Sequence, residues 1–147
     1  LKSVVPELCM KTGAILGTND EAEITSLGNF GRIYGINSVI VEEFADLLNF
    51  DEFRNRLQNE IPPLPMLYAM RNEDVKTKIN NLLKLELDKV IHKKISDIIL
   101  DSSEVNEILK VMHSNAQMGQ KNLLKTRGKV REELEALLIV PLKFFDF

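Results

Sequence analysis

The chain has 147 residues, one domain's worth, and at 44% hydrophobic it can bury a sizeable core. Aromatic residues reach only 6% with no Trp, which favours helices over strands rich in aromatic and β-branched side chains. A formal charge of −3 gives no reason to expect nucleic acid as a partner.

Cys9 is the single cysteine, so no internal disulfide is possible and a reducing cytoplasm is the expected setting. No apolar run approaches the ~20 residues that span a bilayer, and no signal-peptide pattern is present, so the chain is not expected to be transmembrane. It begins at Leu1, inside what reads as a helix. An upstream portion is therefore expected to be absent.

Apolar positions 5, 8, 9, 15 and 16 predict a first helix over 4–17, stopped by Gly17. Asn19 and Asp20 offer caps for a second, long helix from Glu21 to about Asn49. Its candidate core contacts are Ile24, Leu27, Phe30, Tyr34, Val41, Phe44 and Leu48. Gly28, Gly31 and Gly35 fall in its interior, each costing up to ~1 kcal/mol relative to Ala. Either a neighbouring helix at close approach or an adjoining cavity explains them.

Within this helix Glu42, Glu43 and Asp46 can converge on one side, since residues three and four apart are neighbours there. Gly35, Ser38 and Val39 lie on the preceding turns. Such a cluster is a solvated charged face or, with small residues leaving room beside it, a seat for a hard cation such as Mg2+ whose other ligands are water and phosphate oxygens.

Positions 50–60 form a polar segment carrying Arg54 and Arg56, readable as a short helix. Pro62, Pro63 and Pro65 break the chain, with Pro65 suited to the first turn of the helix that follows. Asn72 or Asp74 opens a helix over 76–84, and another covers 86–100 with Leu87, Val90, Ile91, Ile95, Ile98 and Ile99 inward. Asp101 and Glu104 have capping-box spacing and predict a helix through Val105, Ile108, Leu109, Val111 and Met112. A last long helix is expected over about 115–138, interrupted or kinked near Gly128, before an apolar tail containing Phe144, Phe145 and Phe147. The expected product is an all-α helical bundle.

Taken together, four motifs in order resemble the C-terminal half of the trans-isoprenyl diphosphate synthases, the polyprenyl synthetase family. Residues 9–17, CMKTGAILG, look like the family's helix before its second metal motif, and residues 30–36, FGRIYGI, like the start of the metal-motif helix. Glu42-Glu43-Phe44-Ala45-Asp46 falls where the family has its second DDxxD, and residues 64–70, LPMLYAM, are similar to its LPLLYAL helix. The resemblance covers essentially the whole chain. It implies a partial isoprenoid synthase fold over 1–147, Mg2+ held by Glu42, Glu43 and Asp46, and allylic and isopentenyl diphosphates as ligands. It also leans towards a homodimer, or a heteromer with another synthase subunit.

Departures are equally visible. The first two Asp of the motif are Glu, each one methylene longer, and Mg2+ tolerates misplacement poorly. Ser38-Val39 replaces the family's Phe-Gln pair, Lys2 alone remains of its Lys-Thr pair, and the lysine before the Leu-Pro motif is not found. Arg54 and Arg56 are candidates to bind diphosphate instead, because guanidinium grips phosphate oxygens bidentately, or they are exposed helix charge. The residues implied for substrate binding are thus Lys2, Arg54, Arg56, Gly35, Ser38 and Val39.

Elsewhere, His92 and His113 lie on different predicted helices without ligand-like neighbours, so no zinc site is expected. Cys9 reads as a buried structural thiol. Lys121, Lys125, Arg127, Lys129 and Arg131 form a basic run, either a solvated face or a surface that attracts anions. Two functions are consistent with all of this. One is Mg2+-dependent condensation of an allylic diphosphate with isopentenyl diphosphate by a longer parent, this chain alone being inactive. The other is a catalytically degenerate regulatory or partner subunit of such a synthase.

Overall fold

The computed structural model of the protein describes residues 2–124, 126 and 129–143, Lys129 by its backbone only. Among the described residues there are eight helices and no strand: α1 (Val4–Gly17), α2 (Glu21–Leu48), α3 (Phe50–Asn59), α4 (Leu64–Ala69), α5 (Glu73–Leu82), α6 (Lys89–Leu100), α7 (Ser103–Leu123) and α8 (Lys129–Lys143). The expected all-α class is the observed one.

Short polar side chains at the gaps set the helix starts. Asp20 Oδ1 accepts from the N–H groups of Ala22 and Glu23 at 2.8 and 3.3 Å. Asn49 does the same for Asp51 and Glu52, Asn72 for Asp74 and Val75, and Asp88 for Val90 and Ile91. Each satisfies backbone donors that the first helical turn leaves without partners. Pro65 sits in the first turn of α4, where its lacking N–H costs nothing.

Several boundaries differ from expectation: α5 spans Glu73–Leu82 rather than 76–84, and α6 starts at Lys89 rather than 86. Asp101 is the C-cap of α6 rather than the N-cap of α7, which starts at Ser103. In addition, α7 runs unbroken through Asn115 to Leu123, so the last long helix does not begin near 115. Gly128, where a kink was expected, lies outside the described residues, as do Lys125 and Arg127 of the basic run and the tail phenylalanines.

The chain divides into two compact units, Leu1–Val41 with Val111–Phe147, and Glu42–Lys110, the divisions falling within α2 and α7. In the first unit Phe30, Leu123, Leu134 and Leu138 form a buried cluster, with Met10, Leu27, Ile33, Tyr34 and Leu137 against it. The three glycines of α2 face α1. A methyl on Gly31 would run into the Pro6 carbonyl, and one on Gly35 would lie 2.8 Å from the Ser3 carbonyl oxygen. Close helix approach, rather than a cavity, therefore accounts for the glycine series at these two positions.

Also in the first unit, Asn37 is 1% exposed. Its Nδ2 donates to the Met112 carbonyl at 3.0 Å, and its Oδ1 accepts from Asn115 Nδ2 at 3.0 Å, joining α2 to α7. Cys9, expected to be buried, is exposed.

The second unit buries Phe44, Leu47, Phe53, Met66, Ile79, Ile95 and Ile99, and α6 packs on α4 and α5. Leu47 rather than Leu48 is the core residue at the end of α2, Leu48 being exposed. Val90, expected inward, is exposed as well.

Candidate functional site

The acid-bearing end of α2 turns directly into α3. Asn49 is the only residue between the two helices; its N–H donates to the Ala45 carbonyl and its own carbonyl accepts from Phe53. That tight turn brings Arg56, in the second turn of α3, back to the last turns of α2.

Arg56 spans two of the three predicted acids. Its Nη1 lies 2.6 Å from Asp46 Oδ2 and its Nη2 3.0 Å from Glu43 Oε2. Its Nε donates to the Ile61 carbonyl at 2.7 Å, and Glu60 Oε2 lies 3.7 Å away. The side chain is only 14% exposed, so the reading of Arg56 as solvated helix charge is corrected. Burial disfavours the guanidinium's charge, but the hydrogen bonds and charges of Glu43 and Asp46 outweigh it and raise its pKa above the ordinary arginine value. Arg56 is therefore a permanent cation here.

Glu43 serves a second element. Its Oε2 also accepts the Leu64 N–H at 2.8 Å, at the first residue of α4. One carboxylate oxygen thus ties the guanidinium and the start of the Leu-Pro helix to α2. Glu42 is exposed.

The remaining predicted residues are placed separately. Arg54 is exposed, its guanidinium 5.7 Å from the Phe50 ring centre. Lys2 is exposed in the turn preceding α1, Gly35 is buried against α1, and Ser38 and Val39 are half-buried in α2.

The acids were expected to hold a divalent ion, and the fit can be tested on their oxygens. Among the described residues no group of three His, Cys, Asp or Glu side chains is disposed to hold a metal. Glu43 Oε2 already accepts two donors and Asp46 Oδ2 a short charge-assisted bond. Two like unit charges 4 Å apart repel by about 4 kcal/mol at an effective dielectric of about 20, and a divalent ion would face twice that from Arg56. The acids as arranged fit a guanidinium and do not fit Mg2+ beside it.

His92, considered from the sequence only as a zinc ligand, supports the same corner. His92 Nε2 is 2.8 Å from the Leu47 carbonyl, which lies in the last turn of α2 where carbonyls lack helical partners. Ser96 Oγ donates to the same oxygen at 3.4 Å, and the imidazole stacks obliquely on Phe53 at 4.9 Å. The available signal was its i, i+4 spacing with Ser96 on an apolar helix face.

No family model matches the chain, and no curated protein matches it. Two crystal structures of geranylgeranyl pyrophosphate synthase from Corynebacterium glutamicum do, at 21% identity. One superposes with a TM-score of 0.77 over 97% of this chain and 45% of its own. The other, complexed with calcium and isoprenyl diphosphate, gives 0.78 over 97% and 46%. The chain thus has the all-α fold of these synthases and spans less than half of their length.

Proposed function

We propose that this chain is the C-terminal part of an isoprenyl diphosphate synthase-like protein of isoprenoid biosynthesis. Its parent would condense an allylic diphosphate with isopentenyl diphosphate, and this part alone would be inactive. The likeness over 97% of the chain to structures of a prenyl diphosphate synthase is the observation that carries the reading. One of those neighbours was solved with calcium and isoprenyl diphosphate, which supports a diphosphate ligand and a divalent ion, Mg2+, for the parent. Since Glu43 and Asp46 do not fit that ion beside Arg56, no step is assigned to a metal at this end of α2. What this chain contributes is a helical scaffold with a fixed α2–α3–α4 corner. A cytoplasmic homodimer or heteromer is the assembly the resemblance favours.

A second reading has its own support. Arg56 seated on Glu43 and Asp46 favours a catalytically degenerate subunit that keeps the fold and works beside an active synthase. The two separate in one assay on the full-length protein, with labelled isopentenyl diphosphate, a series of allylic diphosphates and Mg2+. Chain-elongated product establishes the transferase. Product that forms only when an active synthase subunit is co-purified establishes the degenerate partner. No product under either condition rejects both.

A further inference from the structure

We propose that Arg56 is the resident cation of the Glu43–Asp46 pair, and that this end of α2 takes no divalent ion and instead anchors α3 and the start of α4. The spacing of the acids suggested a metal; the geometry gives them a counter-ion from their own chain. Three of the guanidinium's nitrogens are engaged at once, by Asp46 at 2.6 Å, Glu43 at 3.0 Å and the Ile61 carbonyl at 2.7 Å. A planar fork with fixed donor directions satisfies such a set where a lysine's single ammonium would not. Glu43 completes the anchor through the Leu64 N–H, so two of its contacts sit on segments 13 and 21 residues away in sequence.

The arrangement also explains why the longer side chain at position 43 is useful. A glutamate can present one oxygen both to Arg56 and to the backbone N–H of Leu64, a structural job for which metal-coordination geometry is irrelevant. Glu42, in the same stretch, is exposed.

Two measurements on the full-length protein test the assignment, independently of whether it handles isoprenyl diphosphates. The first counts bound Mn2+ by electron paramagnetic resonance, in place of Mg2+, in the wild type and in Asp46→Asn. An unchanged number of bound ions per chain supports the assignment, and the loss of one overturns it. The second is a double-mutant cycle on unfolding without metal, combining Arg56→Gln with Asp46→Asn. A coupling of fivefold or more in the unfolding equilibrium constant, on the order of that seen for hydrogen-bonded charge pairs, supports it. Additive effects overturn it. Should Arg56→Gln not fold, Arg56→Lys keeps the charge without the fork and serves in the same cycle.

Discussion

A methyl group added at position 31 would meet the Pro6 carbonyl and Met10 Cγ, and backbone cannot step aside as a side chain can. Gly31→Ala is therefore expected to destabilise the protein by about 1–3 kcal/mol, the usual cost of overpacking. Gly13, also inside a helix, has nothing within 4 Å of an added Cβ. There the helix propensity of alanine acts alone, and Gly13→Ala should stabilise by up to ~1 kcal/mol. Urea unfolding of the two variants checks both signs at once. At position 56 the Gln variant leaves two acids facing each other without their guanidinium. It should cost about 1.5–3 kcal/mol, the range for hydrogen bonds to charged groups; the same denaturation experiment reads it.

Residue identities also explain what could be read from sequence and what could not. Asp20 and Asn72 were legible as caps because they are short polar side chains standing just before helical patterns; Asn49 and Asp88 cap in the same way, but they read from sequence as the end of one helix and the interior of another. Asn115 has the same chemistry but spends its amide on Asn37, and α7 passes straight through it. Arg56 was visible as a charge, not as a partner. Its acids are 10 and 13 residues back, across a turn whose tightness depends on the single residue Asn49. Helical spacing along α2 could group the three acids, but it carried no information on what α3 would place between them.

Between elements, Asn72 links two helices. Its Oδ1 caps α5, while its Nδ2 donates to Glu104 Oε1 at 3.3 Å in the first turn of α7. Hydrogen bonds from its own backbone N–H, from Asn72 and from Ser103 hold the Glu104 carboxyl below its ordinary value of 4.5, against a smaller opposing effect of burial. A depressed folded-state pKa contributes stability above the unfolded value, and that contribution disappears as pH falls through the folded one. The acid side of the stability profile, below about pH 4.5, should accordingly be shallower in Glu104→Gln than in the wild type. Chemical denaturation midpoints across that range provide the comparison. An unchanged slope would mean that the link carries no proton-coupled stability.

His92 makes a parallel contact at the end of α2. Replacing it with Phe keeps the ring against Phe53 but withdraws the hydrogen bond to the Leu47 carbonyl. A loss of about 1–3 kcal/mol is expected for a buried acceptor left with fewer partners. Amide exchange at the end of α2 would rise in the variant, since that last turn depends on His92 and Ser96.

For the molecule as a whole, the fold class and the order of the first six helices were legible because each carries its own periodic pattern and punctuation. The expectation of fold rested on motifs within residues 9–70; the superposition, with a TM-score of 0.77 over 97% of the chain, shows the fold. No helix among the described residues is long and apolar enough to cross a membrane. Chemistry was less legible than architecture, because a motif's spacing states which groups can meet and leaves open what neutralises them.

The central claim is that the parent protein handles isoprenyl diphosphates on this scaffold. Calorimetric titration of the full-length protein with a non-reactive allylic thiodiphosphate, in the presence of Mg2+, tests it most directly. The account predicts saturable binding that inorganic diphosphate competes for and that an isoprenyl alcohol lacking the diphosphate does not reproduce. Absence of any saturable heat with the analogue would contradict it.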